Sequence, residues 1–158
     1  MLLTILVGTY FYITCGSEFD SSVTEEPKKE AAVLVTIEPT SYPFAFSNDN
    51  YAYKENNNHN FYTWLYVVFM PFNESIETGI TSLKSFLLEN TGKVINITNY
   101  YISDETNDSA FPNLGLARAN AIKNHLVPNG ISLASMNTMG KLIDDMIPDD
   151  DIHLDPIV

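Results

Sequence analysis

PNLGLARANAIKNHL, Pro112 to Leu126, is the stretch from which the rest of the chain is read. Apolar residues recur at spacings of three and four, so the stretch is predicted as a helix with Leu114, Ala117, Ala121, Ile122 and His125 or Leu126 facing inward. Arg118 lies on that face. Its i±3 and i±4 neighbours are Leu114, Gly115, Ala121 and Ile122, none of them acidic. A guanidinium stays charged, so it must meet an anion or reach solvent. The nearest acids in sequence are Asp104, Glu105 and Asp108, in the loop that enters the helix. The mouth of that loop is therefore a candidate anion or zwitterion site. The alternative is an arginine that snorkels to water or ties the loop down.

Upstream of the loop, Lys93 to Tyr101 alternates Val94, Asn96 and Thr98 against Ile95 and Ile97 and is predicted as a central strand. Before it, Asn73 or Ser75 caps a helix to about Glu89, with Ile76, Ile80, Leu83 and Leu87 as its apolar face. Asn90-Thr91-Gly92 supplies the left-handed residue that ends such helices. Downstream, Pro128-Asn129-Gly130 stops the organising helix, and Ile131 to Met139 makes a last strand closed by Gly140. Lys141 to Val158 is acidic; its Asp149-Asp150-Asp151 run lacks EF-hand spacing and reads as a solvated charge run rather than a Ca²⁺ site.

Further out, the segment from Pro43 is aromatic and alternating (Phe44, Phe46, Tyr51, Tyr53, Phe61, Tyr62, Trp64, Tyr66) and is predicted to hold one or two strands. Trp64 to Phe72 is expected to be the most buried of it. His59 sits in a polar stretch and is expected to be exposed and inert. Gly16 to Pro39 is rich in Glu, Asp, Ser, Thr and Pro and reads as a flexible spacer, with Ala31 to Ile37 a possible added strand. Residues 1–15, MLLTILVGTYFYITC, are uncharged and mostly apolar but shorter than the roughly 20 residues that span a bilayer. They are read either as part of a membrane anchor or as a lipoprotein signal ending at a lipidated Cys15. The bulk of Tyr12, Ile13 and Thr14 favours the anchor.

The sequence has 158 residues, 20 Asp+Glu against 8 Lys+Arg and a formal charge of −12. A surface of that sign repels phosphate backbones, so no nucleic-acid partner is expected. A single cysteine excludes an internal disulfide and a Cys-rich metal site. No nucleophile–base–orienter set, G-x-S-x-G or H-E-x-x-H occurs, and no enzyme activity, cofactor or metal is expected. Three Asn-x-Ser/Thr triplets, at Asn73, Asn96 and Asn107, match the glycosylation pattern at a frequency expected by chance in an Asn-rich chain.

Strands alternating with amphipathic helices in the order β-α-β-α-β predict a two-layer α+β sandwich within the α/β class, one sheet with helices on one face. The expected boundaries are 1–15 anchor or signal, 16–42 linker, 43–142 folded domain and 143–158 acidic tail.

In order and spacing, four segments between about Leu65 and Leu142 resemble the OmpA-like C-terminal domains that hold peptidoglycan non-covalently. VVFMPFNESIETGITSLKSFL is similar to the first strand and helix of that family, and KVINITNYY to its second strand. NLGLARANAIKNHL resembles the helix with the pattern L-x-x-x-R-A-x-x-V-x-x-x-L, filled by Leu114, Arg118, Ala119, Ile122 and Leu126. NGISLASMNTMG is similar to the closing strand, with Gly130, Ile131, Met136 and Gly140 in register. The resemblance implies that Arg118 and an aspartate after the second strand grip the diaminopimelate of a peptidoglycan stem peptide. The family's G-x-T-D run is not kept, and its aspartate slot falls on Ser103 or Asp104. The implied ligand-binding set is Asp104, Arg118, Ser103 and Asn113. The implied setting is the bacterial cell envelope, with a periplasmic domain tethering a membrane to the cell wall. The alternative is the same fold without that grip, as an envelope protein-interaction or spacer module.

Overall fold

A computed structural model of the chain describes residues 38–154. The anchor-or-signal segment with Cys15, most of the linker and the Ala31–Ile37 strand lie outside the described residues.

The chain runs β1 (Phe44–Asn48), β2 (Tyr51–Glu55), β3 (Phe61–Tyr62), α1 (Glu74–Glu89), β4 (Ile95–Tyr101), α2 (Leu114–Leu126), β5 (Met136–Leu142) and β6 (Ile152–His153). It is a mixed α/β structure with two helices and small sheets. The single sheet expected from the strand pattern is replaced by three two-stranded ones. β1 and β2 form an antiparallel hairpin, its turn tied by Asn48 Oδ1, which accepts from the Asn50 and Tyr51 amides at 2.9 and 2.8 Å. β4 and β5 pair in parallel, from Ile95 opposite Met136 to Tyr101 opposite Leu142. A parallel pair needs a long crossover, and α2 is that crossover. β3 and β6 are antiparallel, Phe61 opposite His153.

Both expected helices form where their apolar spacing puts them. α1 is capped by Asn73, whose side chain accepts from the Ser75 amide, and it buries Ile76, Ile80, Leu83 and Phe86. Gly92, at φ +86°, follows its end. α2 buries Leu114, Ala117, Arg118, Ala119, Ile122 and Leu126. Leu114, Ile122 and Leu126 each contribute about 1.5–3 kcal/mol by leaving water. Ile122 and Leu126 share one core with Phe44, Phe61, Ile76, Ile80, Leu83, Ile97, Ile131 and Met136.

α2 lies very close to both strands it joins. A β-carbon on Gly115 would stand 2.6 Å from the Asn99 carbonyl oxygen, and one on Gly140 would occupy the space of Asn113 Oδ1. Gly140 therefore does not close the last strand, as the sequence leads one to expect, but lies inside it. β5 begins at Met136, after a 3₁₀ turn at Leu133–Ser135, and continues to Leu142.

Two further expectations are corrected. Trp64–Phe72 is not a buried strand: Val68 makes only an isolated bridge to Phe61, and Trp64, Leu65, Tyr66, Val67 and Met70 are exposed. Its Leu65 carbonyl, with those of Tyr62 and Thr63 just before the segment, points at the buried Arg118 guanidinium instead of a neighbouring strand. The domain also extends past both expected limits. Thr40 exchanges hydrogen bonds with Ile147, Met146 is buried, and Ile152–His153 returns to pair with β3. The acidic stretch is thus folded as far as residue 154, its carboxylates at 149–151 pointing outward.

Candidate functional site

Arg118 is fully buried, and every nitrogen of its guanidinium has a protein partner. Nε donates to the Leu65 carbonyl at 2.9 Å. One terminal nitrogen donates to the Tyr100 carbonyl at 3.4 Å. The other reaches the Tyr62 and Thr63 carbonyls at 3.1 and 3.0 Å and Glu105 Oε1 at 2.6 Å. The Phe61 ring lies 5.7 Å below Cζ and adds a cation–π contact. Of the two readings of Arg118, a cation left for a ligand at the loop mouth and an arginine that ties the loop down, the geometry has the second, through Glu105.

Glu105 is the acid that answers Arg118. Its Oε1 also lies 2.9 Å from His153 Nε2, which donates to it, and Oε2 accepts from the Ile102 amide at 3.0 Å. Burial raises the pKa of this carboxyl. The hydrogen bonds from His153 and Arg118, the Arg118 charge and the Ile102 amide outweigh it and hold the group below its ordinary value. The cluster thus joins α2, the loop after β4 and β6 in one water-excluded contact. Removing one member of a buried pair costs about 3–5 kcal/mol, because the other charge is left alone.

The other expected site residues do not complete a ligand mouth with Arg118. Asp104 is exposed, and the cluster's carboxylate comes from its neighbour Glu105. The Ser103 amide donates to Asp144 Oδ1 at 2.8 Å. Asn113 is the N-cap of α2, its Oδ1 accepting from the Leu116 amide at 2.8 Å. His153 was missed altogether, since nothing local marks a histidine in an acidic run as a core residue.

His59 is also corrected: it is buried, not exposed. Its ring packs on Phe72 and Phe44 and stands 5.8 Å from the ring of His125. Burial, with His125 adding to it, pushes the His59 pKa down to about 3. Burial also lowers His125, against the opposing pull of Glu77, whose Oε1 lies 4.0 Å from His125 Nε2.

On the outer side of the Arg118 cluster the same backbone carries an aromatic ledge. Three of the carbonyls that Arg118 engages belong to Tyr62, Thr63 and Leu65, so the guanidinium fixes the chain from which Trp64, Leu65 and Tyr66 project. Trp64 is 49% exposed, Val67 59% and Met70 63%. Trp64 stacks on Tyr62 at 5.2 Å. From Asn56 to Asn73 the sequence carries no Asp, Glu, Lys or Arg, in a chain of net charge −12. Beside the ledge, Tyr66, Val67, Met70 and Phe72 meet Ala121 and His125 of α2 around an open groove of about 400 Å³. Contiguous exposed apolar surface of this kind marks interaction sites.

No family model, curated protein or solved structure matches the chain.

Proposed function

We propose that residues 38–154 form a non-enzymatic docking domain of the cell envelope, held at a membrane by the apolar N-terminus, with Trp64–Met70 as its contact surface for a protein partner. The observation that carries this reading is the division of labour around Arg118. Its guanidinium is closed against the protein's own acceptors, and the segment it fixes presents large apolar side chains to solvent. Buried aromatic anchors dominate the energy of protein interfaces, and a neutral ledge on an acidic domain suits an apolar partner segment flanked by basic residues. An OmpA-like arrangement is part of the proposal. It is supported by the parallel β4–β5 pair across α2 and by the place of Arg118 on that helix. The peptidoglycan grip implied by the resemblance asks Arg118 to face a ligand, and to do so it would have to leave Glu105 and four carbonyls. The geometry therefore favours the envelope interaction module over the diaminopimelate-binding tether.

A photo-crosslinking residue placed at Val67 or Met70 of the full chain tests this in envelope extract. The expected result is one common adduct from both positions and none from Leu133, with the wild-type protein staying in the supernatant of a peptidoglycan sedimentation. Absence of an adduct, or the same adduct from Leu133, would refute the docking surface. Sedimentation with peptidoglycan that Arg118→Lys abolishes would reinstate the wall-binding reading in its place.

A further inference from the structure

The loop from β2 to α1 has a second concave face, built quite differently from the apolar groove. Asn56, Asn57, Asn60 and Asn73 line it together with Phe69 and Phe72, around about 390 Å³. No lining side chain is an acid or a base. Amides are the one neutral side-chain class that offers both a donor pair and an acceptor at a single site. Several are already oriented by the protein. Asn57 Nδ2 donates to Ser75 Oγ at 3.1 Å and to Glu55 Oε1 at 3.4 Å, which turns its carbonyl oxygen away from those contacts. Asn73 Oδ1 caps α1 by accepting from the Ser75 amide and hydroxyl at 3.0 and 3.1 Å, a cap that does not use its NH₂. The Phe72 ring is fixed against His59 and His125, at 5.2 and 4.3 Å, and the Phe69 ring against Tyr62 at 5.3 Å.

We infer that this amide-and-phenyl pocket is a binding site for a neutral saccharide. A pyranose carries vicinal hydroxyls that both donate and accept, and C–H faces that lie on aromatic rings. Neutral oriented amides beside half-buried phenyl rings complement both features. The pocket has no cation to hold an anionic sugar, and the domain's acidic surface repels one. At its size it takes one or two sugar rings, in the range usual for small-ligand sites. It shares Phe72 with the apolar groove, and Phe69 comes from the ledge segment itself, but its amides are not part of that surface and the site does not depend on the ledge having a partner.

The test is ligand-observed NMR and calorimetric titration of the full chain with maltotriose, cellotriose and mannotriose, and with trigalacturonate as the anionic counterpart. At least one neutral trisaccharide should bind. Asn56→Ala with Asn57→Ala should raise its Kd about tenfold or more through lost hydrogen bonds, without moving the thermal midpoint. Phe69→Ala should weaken it separately, whereas Asn137→Ala, in the exposed Asn96–Asn137 pair, should not. Binding of none of the three neutral sugars, equal binding of trigalacturonate, or binding indifferent to both the Asn and the Phe69 changes would overturn the inference.

Discussion

Arg118 and Trp64 are close neighbours in the fold and opposite in kind. Arg118, a residue type expected at the surface, is completely enclosed, while Trp64, a residue type expected inside, is half exposed. The exchange has one cause. The backbone turns out of β3 after Tyr62 into a loop instead of continuing as a strand, and the Thr63 and Leu65 carbonyls lack the ladder partners a longer strand would supply. A buried guanidinium with five N–H groups satisfies them where a strand would not, and the side chains of that loop are then left on the outer side. A charged core and a greasy surface are here two sides of a single segment.

The largest expected effect is on the inner side. Arg118→Ala should lower unfolding stability by about 3–5 kcal/mol, because Glu105 loses its buried counter-charge and the Thr63 and Leu65 carbonyls lose the Arg118 donor. Urea denaturation measures it. An arginine held ready for a ligand would give a far smaller loss. Glu105→Gln keeps an acceptor but removes the charge, and about 1.5–3 kcal/mol is expected by the same assay.

In the folded state the His59 pKa is pushed down to about 3, whereas an unfolded chain restores it to near 6.5. The unfolded state therefore takes up the proton first. The stability contributed by the neutral buried ring is complete above about pH 6.5 and declines by about 1.4 kcal/mol per pH unit as pH falls towards 3. Between pH 6.5 and 5 the domain should lose about 2 kcal/mol, and His59→Phe should flatten that slope. Glu105, with its pKa depressed, loses its stabilising contribution in the same direction but only below its usual value near 4.5. A stability profile level from pH 6.5 to 5 would mean that His59 is not buried.

The smallest stability effect is expected on the outer side. Trp64→Ala with Met70→Ala should shift unfolding by no more than about 0.5 kcal/mol per site, since exposed side chains lose little burial. The same pair should abolish crosslinking at Val67. Trp64 is the only tryptophan in the sequence, so its fluorescence reports the ledge directly and should shift to the blue when a partner covers it.

Local periodicity carries much of this fold in the sequence. The spacing of Ile76, Ile80 and Leu83 and of Leu114, Ile122 and Leu126 marks both helices, and the β-branched alternation of Ile95 and Ile97 marks β4. What was not legible depends on distant partners. The aromatic and β-branched content of Trp64–Phe72 reads as a strand until the Arg118 contacts to 62–65 are seen, and Pro71 is the one local residue that argues otherwise. Arg118 stood out as anomalous because no acid lies one turn away. Its partner Glu105, thirteen residues back, was one of three acids the loop offers, and only the third member, His153, closes the choice. His59 looked exposed because asparagines surround it, yet Asn58 beside it is buried too and takes the His59 amide at 2.8 Å.

Arg118 is the only arginine in the sequence, so its Nε–H gives a single, unambiguous NMR resonance. If the guanidinium is an internal strut, that proton exchanges slowly with water, protected by its 2.9 Å bond to the Leu65 carbonyl, and does not move when a diaminopimelate-containing stem peptide is added. Exchange at the rate of a free arginine, or a shift on adding the peptide, would contradict it.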